Sequence, residues 1–129
     1  METDIKKNIE DTDGFIKYNN YKIVEIKDNT ATLEVELTKD TNNPYGFAHG
    51  GLIFGLGDTA MGIVARMSQK KAVTLDANIT YLKPGVGKKI IAKGEMIKNG
   101  AHICFLRANI YNDKDQLIAT MDSNYFYID

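Results

Sequence analysis

The chain has 129 residues, 43% hydrophobic and 26% charged, with a formal net charge of −1. This is the size and balance of one ordinary globular domain, and so small a charge gives no general attraction to nucleic acid or to an anionic membrane. No apolar run approaches the roughly 20 residues of a membrane span, residues 1–13 hold no apolar secretory core, and a single cysteine, Cys104, excludes an internal disulfide framework. The expectation is one domain over 1–129, cytoplasmic, without nucleic-acid or membrane partners.

Residues 1–17 suit a helical arm. Tyr21 to Ile26 reads as a strand, and Asp28-Asn29 as a turn. Ala31 to Leu37 places apolar residues at every second position, the period of a half-buried strand with Glu34 and Glu36 facing water. A loop follows from Lys39 to His49. Gly50 to about Met67 is apolar nearly all round and fits a buried central helix. Gly55, Gly57 and Gly62 interrupt it. Each costs about 1 kcal/mol relative to alanine in a helix, so another backbone, from a sheet or a second helix, is expected to approach there. Four strands follow: Ala72 to Leu82, ended by Pro84-Gly85; Lys89 to Ile97; His102 to Tyr111, after an Asn99-Gly100 turn; and Gln116 to Ile128. The order β-β-α-β-β-β-β predicts an α+β fold in which an antiparallel sheet wraps a long central helix. Barrels and other α+β folds also accommodate the pattern.

The chemistry concentrates in Asn43-Pro-Tyr-Gly46-Phe-Ala-His49-Gly50-Gly51 and, after six further residues, Asp58. The first N–H groups of a helix lack internal partners and sit at the positive end of its dipole. Gly50 and Gly51 leave them unobstructed, so they can stabilise an oxyanion. Asn43 can offer an amide nearby, and His49 can hold the loop or point into the site. Asp58 is the only charge between His49 and Arg66; a carboxylate in such surroundings needs a partner or a function. Eight residues of helix span about 12 Å. Asp58 therefore reaches a carbonyl held at the N-terminus of a second, antiparallel helix more easily than one held at its own. If both features serve one site, that site is shared across a two-fold axis, and the protein is a dimer.

The run Asn-x-x-Gly-x-x-His-Gly-Gly-x6-Asp, joined to Val73 to Pro84 and to Leu117-Ile118-Ala119, resembles the hotdog-fold thioesterases of the phenylacetic-acid-degradation (PaaI-like) type over about residues 20 to 129. The resemblance implies an acyl-CoA substrate with no separate cofactor, and a homodimer or dimer of dimers. It implies that the Gly50 N–H polarises the thioester carbonyl. Asn43 would position that carbonyl or the attacking water. Asp58 of the other subunit would act as general base or nucleophile, Thr74 would help hold the water, and His49 would be supportive. Gly51 and Phe47 would line the substrate, and Lys83 and Lys98 are candidate contacts for CoA phosphates. Lys88, Lys89 and Lys93 belong to the same basic region, although a lysine run is more often a solvated face. Leu52, Phe54 and Met61 suit an acyl pocket or the core.

Gly55-x-Gly57-x-x-Ala60 lies inside the helix, without a βαβ unit, and is no dinucleotide fingerprint. Cys104, flanked by Ile103 and Phe105, reads as packing. His49 and His102 have no carboxylate or cysteine at ligand spacing, so no metal is expected. No Gly-x-Ser-x-Gly elbow is present. The alternative functions are a non-catalytic acyl-CoA-binding hotdog module, which would not need Asp58, and a hotdog dehydratase, which would want an Asp/His pair on the acyl chain.

Overall fold

In the computed structural model the six strands form one antiparallel sheet in the order β1-β2-β4-β5-β6-β3. The structure describes residues 2–68 and 70–128; Met1, Gln69 and Asp129 of the single 1–129 domain expected above lie outside them. The elements are helices α1 (Glu2–Thr12) and α2 (Gly14–Tyr18), strands β1 (Lys22–Lys27) and β2 (Thr30–Glu36), and the long helix α3 (Gly50–Arg66). Strands β3 (Lys71–Tyr81), β4 (Lys89–Asn99), β5 (Ile103–Asn112) and β6 (Leu117–Ile128) follow.

Turn chemistry sets the registers. Asn29 adopts φ 61° between β1 and β2, and Asp115 the same φ between β5 and β6, the left-handed conformation that asparagine and aspartate tolerate better than most residues. Gly100 donates its N–H to Ile103 in the β4–β5 turn. On β2 the buried residues are Ala31, Leu33 and Val35, while Glu34 and Glu36 face outward, as the alternation predicts.

Helix α3 is unbroken. Its faces that meet β2, β4, β5 and β6 bury Ile53, Leu56, Ala60, Met61, Ile63, Val64 and Ala65. Full burial of one such large apolar side chain stabilises the fold by about 1.5–3 kcal/mol. Among the described residues, no helix is long and apolar enough to cross a membrane.

The helical glycines serve a different purpose from the one expected. A Cβ on Gly55 would lie 2.6 Å from the Tyr21 hydroxyl, one on Gly57 would collide with the Met121 sulfur, and one on Gly62 would lie 3.3 Å from the Tyr125 hydroxyl. All three make room for side chains rather than for another backbone. Backbone meets backbone instead at a sheet glycine: a Cβ on Gly94 of β4 would stand 3.1 Å from Ala60 C and Met61 N of α3.

Strand β3 is the edge that matters for the site. Among the described residues it pairs only with β6, and its outer side has no partner strand. Its register slips between Thr74 and Asp76, leaving Leu75 as an extra residue, a β-bulge. Side chains alternate along a regular strand, so Thr74 and Tyr81, seven residues apart, would point to opposite faces. The bulge reverses the parity. Thr74 now stands opposite Tyr125, and Ala77, Ile79 and Tyr81 stand opposite the inward residues Ser123, Met121 and Ala119. One strand thereby presents both Thr74 and Tyr81 to α3.

Because helix backbone cannot yield as a side-chain tip can, Gly94→Ala should destabilise the protein by about 1–3 kcal/mol, the usual cost of overpacking. Gly14→Ala, whose Cβ meets nothing within 4 Å, should change stability by less than about 0.5 kcal/mol. Urea denaturation of the two variants checks both.

Candidate active site

The loop before α3 is a closed, self-bonded turn. Asn43 N–H donates to Phe47 O at 2.7 Å, and the Asn43 side-chain Oδ1 accepts from the N–H groups of Tyr45 (2.9 Å) and Phe47 (3.1 Å). This is the local side-chain-to-backbone bonding that asparagine performs in turns. Gly46 adopts φ +84°, which a residue without Cβ takes at no steric cost. The loop is fastened to the rest of the fold by His49 N–H to Thr41 O and Ala48 N–H to Gly85 O, each 2.8 Å. Asn43 is thus the brace of the loop. Its side-chain NH₂ has no partner among the described residues.

His49 is the N-cap of α3. Its Nδ1 accepts from Gly51 N–H at 2.9 Å, and its carbonyl accepts from Leu52 and Ile53. The side-chain bond observed is therefore the helix cap. The N–H groups of residues 51 to 53 are consequently occupied, and among the described residues only Gly50 N–H at this helix start has no acceptor. The Gly50 carbonyl is held by Tyr81, whose hydroxyl donates to it at 2.6 Å; burial pushes the Tyr81 phenol up. A hollow of about 340 Å³ opens beside this donor, lined by Asn43, Phe47, Gly50, Tyr81 and Lys83 among others.

Asp58 stands two turns further along the same helix. Its Oδ1 accepts from Thr74 Oγ1 at 2.9 Å and from the Tyr125 hydroxyl at 2.5 Å, and that hydroxyl also lies 2.6 Å from the Asp58 carbonyl oxygen. Asp58 Oδ2 has no partner among the described residues. Burial, and then the negative charge of Asp58, push the Tyr125 phenol well above the ordinary tyrosine range. It is a neutral donor at any physiological pH. The same two causes raise Tyr21, which donates to Leu52 O at 2.8 Å and stacks edge-on with Phe15, the ring centroids 5.8 Å apart.

The structure therefore gathers Asn43, Phe47, Gly50 and Lys83 at one end of α3, with His49 and Gly51 at the same helix start. It gathers Asp58 and Thr74 at another point. Within one chain the two groups do not meet. Lys98 joins neither: it lies near the tip of the β4–β5 hairpin, whose Met96 and Asn99 share a hollow with Val64 and Met67 at the C-terminal end of α3. Sequence reasoning missed Tyr21, Tyr81 and Tyr125. Tyr81 stood in the Tyr-Leu-x-Pro run and was readable as a motif residue, but nothing local marked the target of its hydroxyl. Tyr125 and Tyr21 reach α3 only through sheet register and carried no sequence signal.

A single long helix inside a wrapped antiparallel sheet defines the hotdog fold, and among the described residues that helix carries a free N–H at its start and a carboxylate with one unengaged oxygen. The chain belongs to the thioesterase superfamily, whose family model matches residues 45–119, more than half of its length. It is 25% identical over 93 residues to the medium/long-chain acyl-CoA thioesterase YigI of Escherichia coli, covering 60% of this chain and 60% of that protein. The chain spans less than two thirds of the length of the curated relatives it matches, 64% and 60% for two of them. The solved structure of the E. coli PaaI protein, from the phenylacetic acid degradation operon, superposes with a TM-score of 0.94 at 20% identity over 99% of this chain and 94% of that one; this likeness shows the fold. The structure of smu.793 from Streptococcus mutans, bound to acetyl CoA, superposes with a TM-score of 0.81 at 29% identity over 86% of this chain and 90% of that one.

Proposed function

We propose that the protein is an acyl-CoA thioesterase that works as a homodimer, or as a dimer of such dimers, with each active site built from both protomers. The observation that carries this reading is the Asp58 oxygen without a partner among the described residues, Oδ2, on the same continuous helix as the Gly50 N–H, the one backbone donor at the helix start without an acceptor among them. Thioester hydrolysis can use both features. An N–H at a helix N-terminus stabilises the oxyanion that forms on the carbonyl. A carboxylate oxygen without a protein partner either takes the proton of the attacking water or attacks the carbonyl itself. When water attacks, collapse of the tetrahedral species releases the acid and the CoA thiolate, which takes the proton from Asp58. When Asp58 attacks, collapse expels CoA and leaves an acyl-aspartyl anhydride, which a water then hydrolyses to the acid. About 12 Å of helix separates the two groups within one chain, so the carbonyl on Gly50 of one protomer meets the partner subunit's Asp58. The acetyl-CoA complex of the S. mutans structure and the acyl-CoA substrates in the name of the E. coli relative support CoA as the thiol. Lys83, which lines the Gly50 hollow, would meet a CoA phosphate.

The outer side of β3 supports the dimer. Val73 and Leu75 are 47% and 54% exposed along this unpaired edge, and proteins rarely leave such an edge uncovered. Pairing β3 with its own copy also gives a register. The shared site brings Thr74 of one protomer beside Tyr81 of the other. Directly facing residues of an antiparallel pair point to the same side, and the bulge at Leu75 takes up one residue. Together these conditions centre the pair on Asn78, which faces its own copy.

Two outcomes are expected. In a thiol-release assay over a panel of acyl-CoAs, Asp58→Asn should lower kcat by at least about a hundredfold, the lower end for loss of a general base, with a native circular-dichroism spectrum. Turnover equal to wild type would rule out Asp58 as base or nucleophile; a wild-type protein that binds acyl-CoA without turning it over would leave the acyl-CoA-binding module as the better reading. Facing residues of an antiparallel pair have Cα atoms about 4.5–5.5 Å apart, within disulfide range. Asn78→Cys should therefore form a disulfide-linked dimer under mild oxidation, since the native Cys104 is buried. Thr80→Cys should not; a dimer linked only by Thr80→Cys would contradict this register.

A further inference from the structure

We propose that Tyr125 is a positioning residue for the Asp58 carboxylate, acting together with Thr74, and that Gly62 is a glycine so that Tyr125 can reach it. The inference rests on the thioesterase reading and adds a residue beyond the 45–119 segment that the family model matches.

The geometry is specific. Register sets Thr74 on β3 opposite Tyr125 on β6, and both hydroxyls donate to the same oxygen, Asp58 Oδ1. Tyr125 is 3% exposed, so its ring is fixed by packing and its hydroxyl has little freedom. That hydroxyl spans the carboxylate and the backbone carbonyl of the same residue, at 2.5 and 2.6 Å. Asp58 is thereby tied back toward its own helix and limited in rotation about its side-chain bonds. With Oδ1 held, Oδ2 is the oxygen that remains for water or substrate. A catalytic carboxylate misplaced by even about 1 Å loses rate steeply. Gly62, four residues after Asp58 and on the same helix face, is where the Tyr125 hydroxyl passes; an added Cβ would stand 3.3 Å from it. Tyr127, two residues later on the same face of β6, gives an internal contrast. Its hydroxyl donates to Asn99 at 2.6 Å, away from Asp58.

The test compares Tyr125→Phe, Thr74→Val, the double variant and Tyr127→Phe, on the best acyl-CoA of the panel, with wild type and Asp58→Asn alongside. Phenylalanine keeps the ring and its packing. Loss of one hydrogen bond to a charged group predicts a fall in kcat of about tenfold for Tyr125→Phe, with KM changed by less than about twofold. The double variant should lose more than the product of the two single losses, because either hydroxyl alone still restrains Oδ1. Tyr127→Phe should keep wild-type kcat. If wild type is active and Asp58→Asn is not, yet Tyr125→Phe retains wild-type kcat, the positioning role is wrong and the thioesterase reading stands. Equal falls in Tyr125→Phe and Tyr127→Phe, or single losses that simply multiply, would likewise reduce Tyr125 to a packing residue. If wild type turns over no acyl-CoA, the thioesterase reading fails and this inference fails with it.

Discussion

The arrangement depends on one constraint: Gly50 and Asp58 sit on the same unbroken helix. A helix advances about 1.5 Å per residue and does not shorten, so a donor at its start and a carboxylate eight residues later cannot converge within one chain. Reversing a second copy of the helix brings its Asp58 level with the Gly50 of the first. In the proposed dimer the same operation brings two unpaired β3 edges together.

The second constraint is the bulge at Leu75. Without it, β3 would give α3 either Thr74 or Tyr81, and one end of the site would lose its support. With it, the strand braces the donor end, through Tyr81 and the Gly50 carbonyl, and the carboxylate end, through Thr74 and Asp58. Bulges recur beside active sites because one extra residue re-aims side chains without disturbing the rest of the sheet. In this sheet the flanking pairs from Lys71 to Thr74 and from Asp76 to Tyr81 remain regular.

Much of this was legible in the sequence, and the reasons are local. The alternation of Ala31 to Leu37 states its strand and its buried face. The run from Gly50 to Met67 states a buried helix, and the spacing from His49-Gly50-Gly51 to Asp58 states the offset. What was not legible depends on contacts distant in sequence. Gly55 and Gly62 suggested close approach of a backbone, but the neighbours are the hydroxyls of Tyr21 and Tyr125, which lie 34 and 63 positions away in the chain. The bulge was invisible because Val73-Thr74-Leu75-Asp76 contains no glycine or proline to mark it. Lys98 was grouped with Lys83 by composition alone, and the β4–β5 hairpin carries it away from the Gly50 loop. His49 offered two roles on paper; only the three-dimensional path of the loop, which brings its Nδ1 to Gly51 N–H, selects the cap.

Complementation between two inactive chains addresses the shared site directly. One chain carries Asp58→Asn. The other carries Gly50→Pro, which removes the free N–H at the first helical position, where proline suits the backbone; the preceding His49, at φ −61° and ψ 136°, already has the conformation that a following proline requires. Differently tagged and purified as the mixed dimer, the pair should recover about half of wild-type turnover, since one of its two sites regains both groups. A mixed dimer no more active than either parent would contradict a site assembled from Gly50 of one protomer and Asp58 of the other.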